Sequence, residues 1–262
     1  MTSTEYRALV KRLEATHYVL RVRAEEVRAR TRSVRGRLDS LRGRAAGERP
    51  GRVTRTLRRV SLKMTLFGCA LAFPFYLLVA SSVELYRGFA FPSWLALAGG
   101  IAMTGALLLL YVAWGWRRLG LRRPMPRAMI RVVFGLVATY CLYSLVYLSS
   151  LNVKDDDLRT RFGSLHPLLR MATSTLILVD GDLIITDMIR EPADYARMGL
   201  PLYERSLHFA QADGYAHAVD LRTAGRSEWR NRLLQAYFIT LGFRTLRHVG
   251  TADHLHVSLP PP

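Results

Sequence analysis

The sequence predicts three membrane-spanning helices followed by a small α+β domain, an antiparallel sheet with helices, and preceded by a long basic helix. Three observations carry this. Residues 64–83, 88–116 and 132–153 form runs of 20, 29 and 22 residues without Asp, Glu, Lys or Arg, and about 20 apolar residues cross the ~30 Å hydrocarbon core of a bilayer. The formal net charge of +18 sits beside those runs. Residues 1–63 hold 18 basic against 6 acidic side chains, and residues 117–131 hold six arginines and no acid, whereas residues 154–262 balance 13 against 13. Finally, residues 154–262 mix helical periodicity with short apolar runs, which is α+β patterning. The expected units are therefore a basic segment over 1–60, a three-span region over 61–153 and a folded domain over 154–262.

The basic segment reads as a helix over residues 4–47. Tyr6, Leu13, Leu20, Val27, Val34 and Leu41 recur every seven residues and form one apolar seam. The companion seam is mostly charged, so a helix against anionic lipid or a cytoplasmic partner fits better than a coiled coil, beside the plain alternative of a solvated juxtamembrane stalk. Gly47, Pro50 and Gly51 predict a hinge over 47–60.

The three spans tolerate Pro74 and Pro92 because membrane helices accommodate proline. Tyr86, Trp94, Trp114 and Trp116 fall near span ends, where interfacial aromatics belong. Glu84 and Arg87 mark a short loop between the first two spans. Arginine flanks stay on the cytoplasmic side, so the N-terminus and the loop around 117–131 are inside, and everything after 153 is outside. The charge surplus thus belongs to the membrane surface and not to nucleic acid. Cys69 and Cys141 lie within the spans, which leaves the domain no disulfide and no thiolate metal site.

Within the domain, residues 165–176 fit a helix. The runs 176–179 and 182–187, broken by Asp180-Gly181, suggest a hairpin. Residues 228–243 fit an amphipathic helix with Leu233, Leu234, Tyr237, Phe238 and Leu241 on or near one face and Gly242 at its end. Residues 254–259 alternate like a strand.

The polar residues of this domain point to chemistry. His254 and His256 stand two apart and share a face of a strand. Asp253 reaches that face only from the incoming turn. Two imidazoles and a carboxylate suffice for catalytic zinc with water in the fourth position. His208 follows Ser206 at the Ser-x-His spacing, and Asp220 lies further on in "HAVDLRT".

Here the chain resembles the zinc D-alanyl-D-alanine peptidase group, which includes D,D-carboxypeptidases, L-alanyl-D-glutamate peptidases and the hedgehog signalling domain. The pattern is Ser-x-His-(x)6-Asp, a helix, then an acid shortly before a final ligand His, and it is carried by Ser206, His208, Asp220, Asp253, His254 and His256. "IITDMIREP" is similar to the upstream segment of that group, with Arg190 at its substrate-contacting position. The resemblance covers roughly residues 164–260. It implies Zn2+ held by His208, Asp220 and His256, Asp253 as general base, His254 as oxyanion stabiliser, Arg190 as a substrate clamp, and a peptidoglycan stem peptide as substrate. With the predicted topology it implies a three-pass protein of a bacterial cytoplasmic membrane with its domain facing the cell wall.

The spacing departs from the pattern, because eleven residues separate His208 from Asp220. An insertion around "QADGY" is expected, and Asp213 or His217 are alternative first ligands. Three functions follow as expectations: a membrane-anchored zinc peptidase, a degenerate peptidase-fold module that binds cell-wall peptides without cleavage, and a membrane scaffold that recruits partners through the N-terminal helix.

Overall fold

The structure is a computed structural model that describes residues 33, 35–36, 52–121, 124–199, 201–203, 205–250 and 253–262. The predicted basic helix over 4–47 lies outside these except at positions 33, 35 and 36, and residues 47–51 of the predicted hinge lie outside them too.

Among the described residues, three helices are long and apolar enough to cross a membrane. The first, α1, spans Arg52–Phe89, so residues 52–60 are helical where a hinge is expected. At 1.5 Å per residue its 38 residues extend about 57 Å. The expected loop at 84–87 is also helical, because nothing there breaks the ladder. The chain reverses instead at 90–92, where Ala90 takes a positive φ of 53° and Pro92 precedes α2, Ser93–Arg118. Helix α3 spans Arg127–Val146 and ends before the predicted limit at 153. The remaining segment is polar enough to leave the helix. It forms a 3-10 turn over Ser150–Asn152, and the Asn152 side chain donates to the Gly181 and Leu183 carbonyls at 2.8 and 2.9 Å.

Close packing joins α1 to α2 at small residues. A Cβ on Gly100 would stand 2.0 Å from the Ser82 hydroxyl and 2.6 Å from the Leu78 carbonyl. Gly105 similarly admits the Phe134 ring of α3. Small residues at such crossings let helix backbones approach within a membrane.

The rest of the chain is an α+β fold. After two short elements, α4 (Asp156–Thr160) and a 3-10 turn (Phe162–Ser164), comes α5, Pro167–Val179. The residues 176–179 expected as a strand are the last turn of α5. Pro167 starts this helix, the His166 side chain accepts the Leu168 N–H, and thirteen residues without a breaker carry it to Asp180. The remaining elements are β1 (Ile185–Asp187), α6 (Pro192–Met198), β2 (Ala218–Arg222), α7 (Glu228–Thr240), β3 (Arg244–His248) and β4 (His254–Ser258). Strand β3 was not apparent in the sequence; its alternating burial starts directly after the glycine turn that ends α7. The sheet order is β1-β2-β4-β3 with every neighbour antiparallel. In α7 the buried face is Asn231, Leu234 and Phe238, while Leu233 is exposed.

The boundary expected at 153/154 does not divide two compact bodies. Residues Gly68–Pro262 form one unit, with a continuous core from Leu78 and Val83 of α1 through Cys141 of α3 to Leu168, Leu221, Phe238 and Val257. Helix α5 lies against α2 and α3. Arg170 donates to the Leu145 carbonyl at 2.8 Å and Ser174 to the Ser144 carbonyl at 2.9 Å. Arg87 donates to the Gly242 carbonyl beyond α7. Each large apolar side chain buried across this junction contributes about 1.5–3 kcal/mol.

Candidate metal centre

Antiparallel pairing sets Asp220 of β2 directly opposite His256 of β4. Directly paired residues of neighbouring strands point to the same face, so carboxylate and imidazole meet, with His256 Nδ1 2.8 Å from Asp220 Oδ1. His208 arrives from the loop before β2. Its N–H reaches the Ser206 hydroxyl at 3.3 Å, and its carbonyl accepts the Arg190 N–H at 2.9 Å. His208 Nε2 then lies 3.3 Å from His256 Nδ1 and 3.4 Å from Asp220 Oδ1.

These three atoms make a tight triangle with sides of 2.8, 3.3 and 3.4 Å. Tetrahedral zinc with ligands at ~2.0–2.1 Å separates its ligand atoms by about 3.3 Å. The donor set therefore fits a metal in both kind and spacing. The tautomer of His208 agrees. Its Nδ1 lies 3.0 Å from the Met188 carbonyl, so the proton sits there and Nε2 presents a lone pair inward. The site is largely buried, with His208 3% and Asp220 4% exposed, while His256 is half-buried at its open side. Burial alone would raise the Asp220 carboxyl, but its hydrogen-bonding and electrostatic interactions with His208 and His256 outweigh it and hold the group well below the usual carboxylate range.

Arg190, expected to face a substrate, is committed elsewhere. Its Nε donates to Asp187 Oδ2 at 2.6 Å and its Nη2 to Asp220 Oδ2 at 3.3 Å. The guanidinium thus steadies the carboxylate of the cluster from behind. Asp253, expected as general base, does not join the group. Its carboxylate takes both Arg247 Nε and Nη2, at 2.8 and 3.0 Å, and the Thr223 hydroxyl at 2.6 Å. These bonds hold it below its ordinary value, which suits a brace between β3 and the start of β4 better than a base. His254 approaches from the other side of Asp220, its Nε2 3.7 Å from Oδ2, and its ring stacks on His248 with centroids 4.7 Å apart.

The alternative first ligands belong to a second cluster. The insertion after His208 folds into a tight hairpin, with Ala210 bridging Ala216 and Gly214 at φ +81°. It carries Asp213 and His217 to the turn between α1 and α2, beside Tyr86 and Ser93, while His208 and Asp220 stay together despite their spacing. His217 Nε2 lies 3.0 Å from both Asp213 oxygens, and its Nδ1 donates to the Leu259 carbonyl at 2.8 Å. His166 stacks on His217 at 4.6 Å and bonds the Ser93 hydroxyl of α2 through Nε2 at 2.8 Å. His166 Nδ1 accepts the Leu168 N–H at 3.3 Å, so its proton occupies Nε2, the nitrogen that faces Asp213. This trio has the residue types of a metal site, but the His166 tautomer suits a hydrogen-bonded latch.

Sequence reasoning did not anticipate the roles of His166, Met188 or Asp187. His166 stood out only as the residue before a helix-starting proline, and Met188 contributes through a backbone carbonyl, which leaves no side-chain signal. Comparison with protein-family models, curated proteins and solved structures finds no match.

Proposed function

We propose that the chain is a membrane-anchored zinc-dependent peptidase acting on peptidoglycan stem peptides, with its α+β fold outside a bacterial cytoplasmic membrane and its basic N-terminus inside. The observation that carries this reading is the buried convergence of His208 Nε2, Asp220 Oδ1 and His256 Nδ1. The resemblance supplies the substrate class, and the three apolar helices agree with a membrane anchor.

His208, Asp220 and His256 would hold zinc, which acts as a Lewis acid toward a peptide carbonyl and makes water a nucleophile near neutral pH. The chain's own residues do the rest. The Met188 carbonyl keeps the His208 lone pair turned inward. Arg190 fixes the second oxygen of Asp220. His254, beside Asp220, handles the proton that passes from attacking water to leaving amine. Asp253 braces the β4 entry against Arg247 and Thr223.

A second reading has its own support. The engagement of Arg190 and Asp253 in internal ion pairs favours a module that binds cell-wall peptides without cleaving them. The scaffold reading rests on residues 4–47, outside the described part of the chain. Incubating full-length protein in detergent with a D-alanyl-D-alanine-ended stem peptide separates the first two. Product release by the wild type and none by His256→Ala supports the peptidase. Saturable binding without product supports the module.

A further inference from the structure

We propose that the cleft beside the metal centre is a carboxylate subsite in which Lys154 holds an acidic group of the substrate. This deepens the peptidase reading and rests on it for the identity of the peptide. The cleft encloses ≈ 540 Å³ and is lined from α4, the end of β1 and α6, with Lys154 at one side and Arg190 at another. That volume suits a small peptide fragment. Because Arg190 also bonds Asp220, the cleft abuts the cluster.

Charge decides what the cleft takes. Its lining holds four basic and four acidic side chains, but most are already matched. Arg161 lies 3.1 Å from Asp157, 3.7 Å from Glu191 and 4.0 Å from Asp194. Arg197 pairs with Asp194. Arg190 is divided between Asp187 and Asp220. Asp155 accepts the Leu158 N–H as a helix cap. Among the described residues Lys154 alone of the four cations has no carboxylate partner. The lining sums to zero charge, so an anionic ligand would be held by the one ammonium that no carboxylate takes up and not by a surplus of positive charge. Where the resemblance assigns Arg190 to grip a substrate carboxylate or carbonyl, the free charge in this cleft is that of Lys154.

The sheet gives the separation. The Lys154 N–H donates to the Ile185 carbonyl at 2.9 Å, which holds residues 153–154 along the free edge of β1. Strand β1 in turn pairs with β2, with Asp187 beside Asp220. Two strand spacings of ~4.8 Å put the Lys154 backbone about 10 Å from that of β2. An extended peptide advances ~3.3–3.6 Å per residue, so one or two substrate residues and the lysine side chain bridge the gap. A carboxylate that close to the cluster belongs to the C-terminal end of a short peptide.

The test uses full-length protein in detergent, zinc-loaded, and two probes: a D-alanyl-D-alanine-ended stem peptide with a free C-terminal carboxylate, and its C-terminal amide. The free acid binds about tenfold more tightly than the amide, the scale of a hydrogen bond to a charged group. Lys154→Met removes that preference, and Lys154→Arg restores most of it. Lys154 is exposed, so neither variant shifts the Tm. Equal affinity for acid and amide, binding of neither, or a preference that survives Lys154→Met overturns the proposal. A preference lost in Lys154→Met without cleavage of either peptide keeps the subsite and removes the peptidase reading.

Discussion

Asp220 and His256 are direct partners across the β2–β4 ladder, and their side chains meet at 2.8 Å, the carboxylate buried and the imidazole half-buried. Strand register therefore assembles two-thirds of the candidate centre, and only His208 has to be delivered by a loop. The consequence is rigidity: two ligands cannot move apart without breaking the ladder.

Arg190 tests how far that rigidity depends on its surroundings. It bridges Asp187 and the outward oxygen of Asp220. Removing a partner of a ligating carboxylate costs roughly ten- to a hundredfold in metal affinity. Arg190→Met is expected to weaken zinc by that factor in a competition titration, with Lys intermediate. Unchanged affinity would show that Arg190 faces substrate instead.

Asp253 separates brace from base. A general base works best with a pKa near the operating pH and contributes about 10²–10⁴-fold, yet Arg247 and Thr223 hold this carboxyl below its ordinary value. Asp253→Asn is expected to keep turnover of stem peptide within a few-fold of wild type, while His254→Ala loses at least tenfold. A loss of a hundredfold or more in Asp253→Asn would restore Asp253 as the base.

Much of this was legible in sequence, and what was not has identifiable causes. The apolar runs mark three helices because charge is expensive in hydrocarbon, but their ends were misjudged. Glu84 and Arg87 sit on the upper part of an unbroken helix, and residues 147–153 leave the helix to serve the sheet. Residues 176–179 look like a strand in isolation, yet they continue a helix that starts at Pro167 and packs on α2 and α3. The pairing of Asp220 with the His-x-His strand was expected from the resemblance alone, against a spacing that departs from its pattern. The separation of Asp213 and His217 into their own cluster did not, because it depends on a hairpin whose direction no local pattern gives. The partners of Asp253 and Arg190 were equally hidden, since long arginine side chains choose among carboxylates brought close only by the fold.

Gly100 tests the packing among the apolar helices that carry the α+β fold. An added Cβ would meet the Leu78 backbone carbonyl, which cannot turn aside, as well as the buried Ser82 hydroxyl that donates to that carbonyl at 2.7 Å. Gly100→Ala is expected to destabilise by about 1–3 kcal/mol, lowering Tm in detergent, and Ser82→Ala relieves only part of the loss. Gly115→Ala, with nothing within 4 Å of its Cβ, is the neutral control.

His166 predicts an acid sensitivity. Burial, then the neighbouring His217 and Arg170, push its pKa down to about 3, against the opposing pull of Asp213. A histidine lowered on folding resists protonation, so its contribution is complete above the unfolded value of about 6.5 and is lost as pH falls from there toward 3, at no more than about 1.4 kcal/mol per pH unit. The groups facing it are Ser93 and Tyr86 from the membrane helices, Asp213, Tyr215 and His217 from the hairpin, and Arg170 from its own helix. His166→Asn keeps a helix cap and removes the titration, so its Tm is expected to fall less than that of the wild type between pH 6.5 and 4.5. Parallel curves would place the acid sensitivity elsewhere.

The central claim is one metal centre at His208, Asp220 and His256, and the metal content of the purified full-length protein tests it most directly. The account predicts about one zinc per chain, lost in His256→Ala and Asp220→Asn and retained in His217→Ala, with each variant still folded by circular dichroism. No zinc above background in folded wild-type protein, or zinc that is lost with His217 and kept without His256, would contradict it.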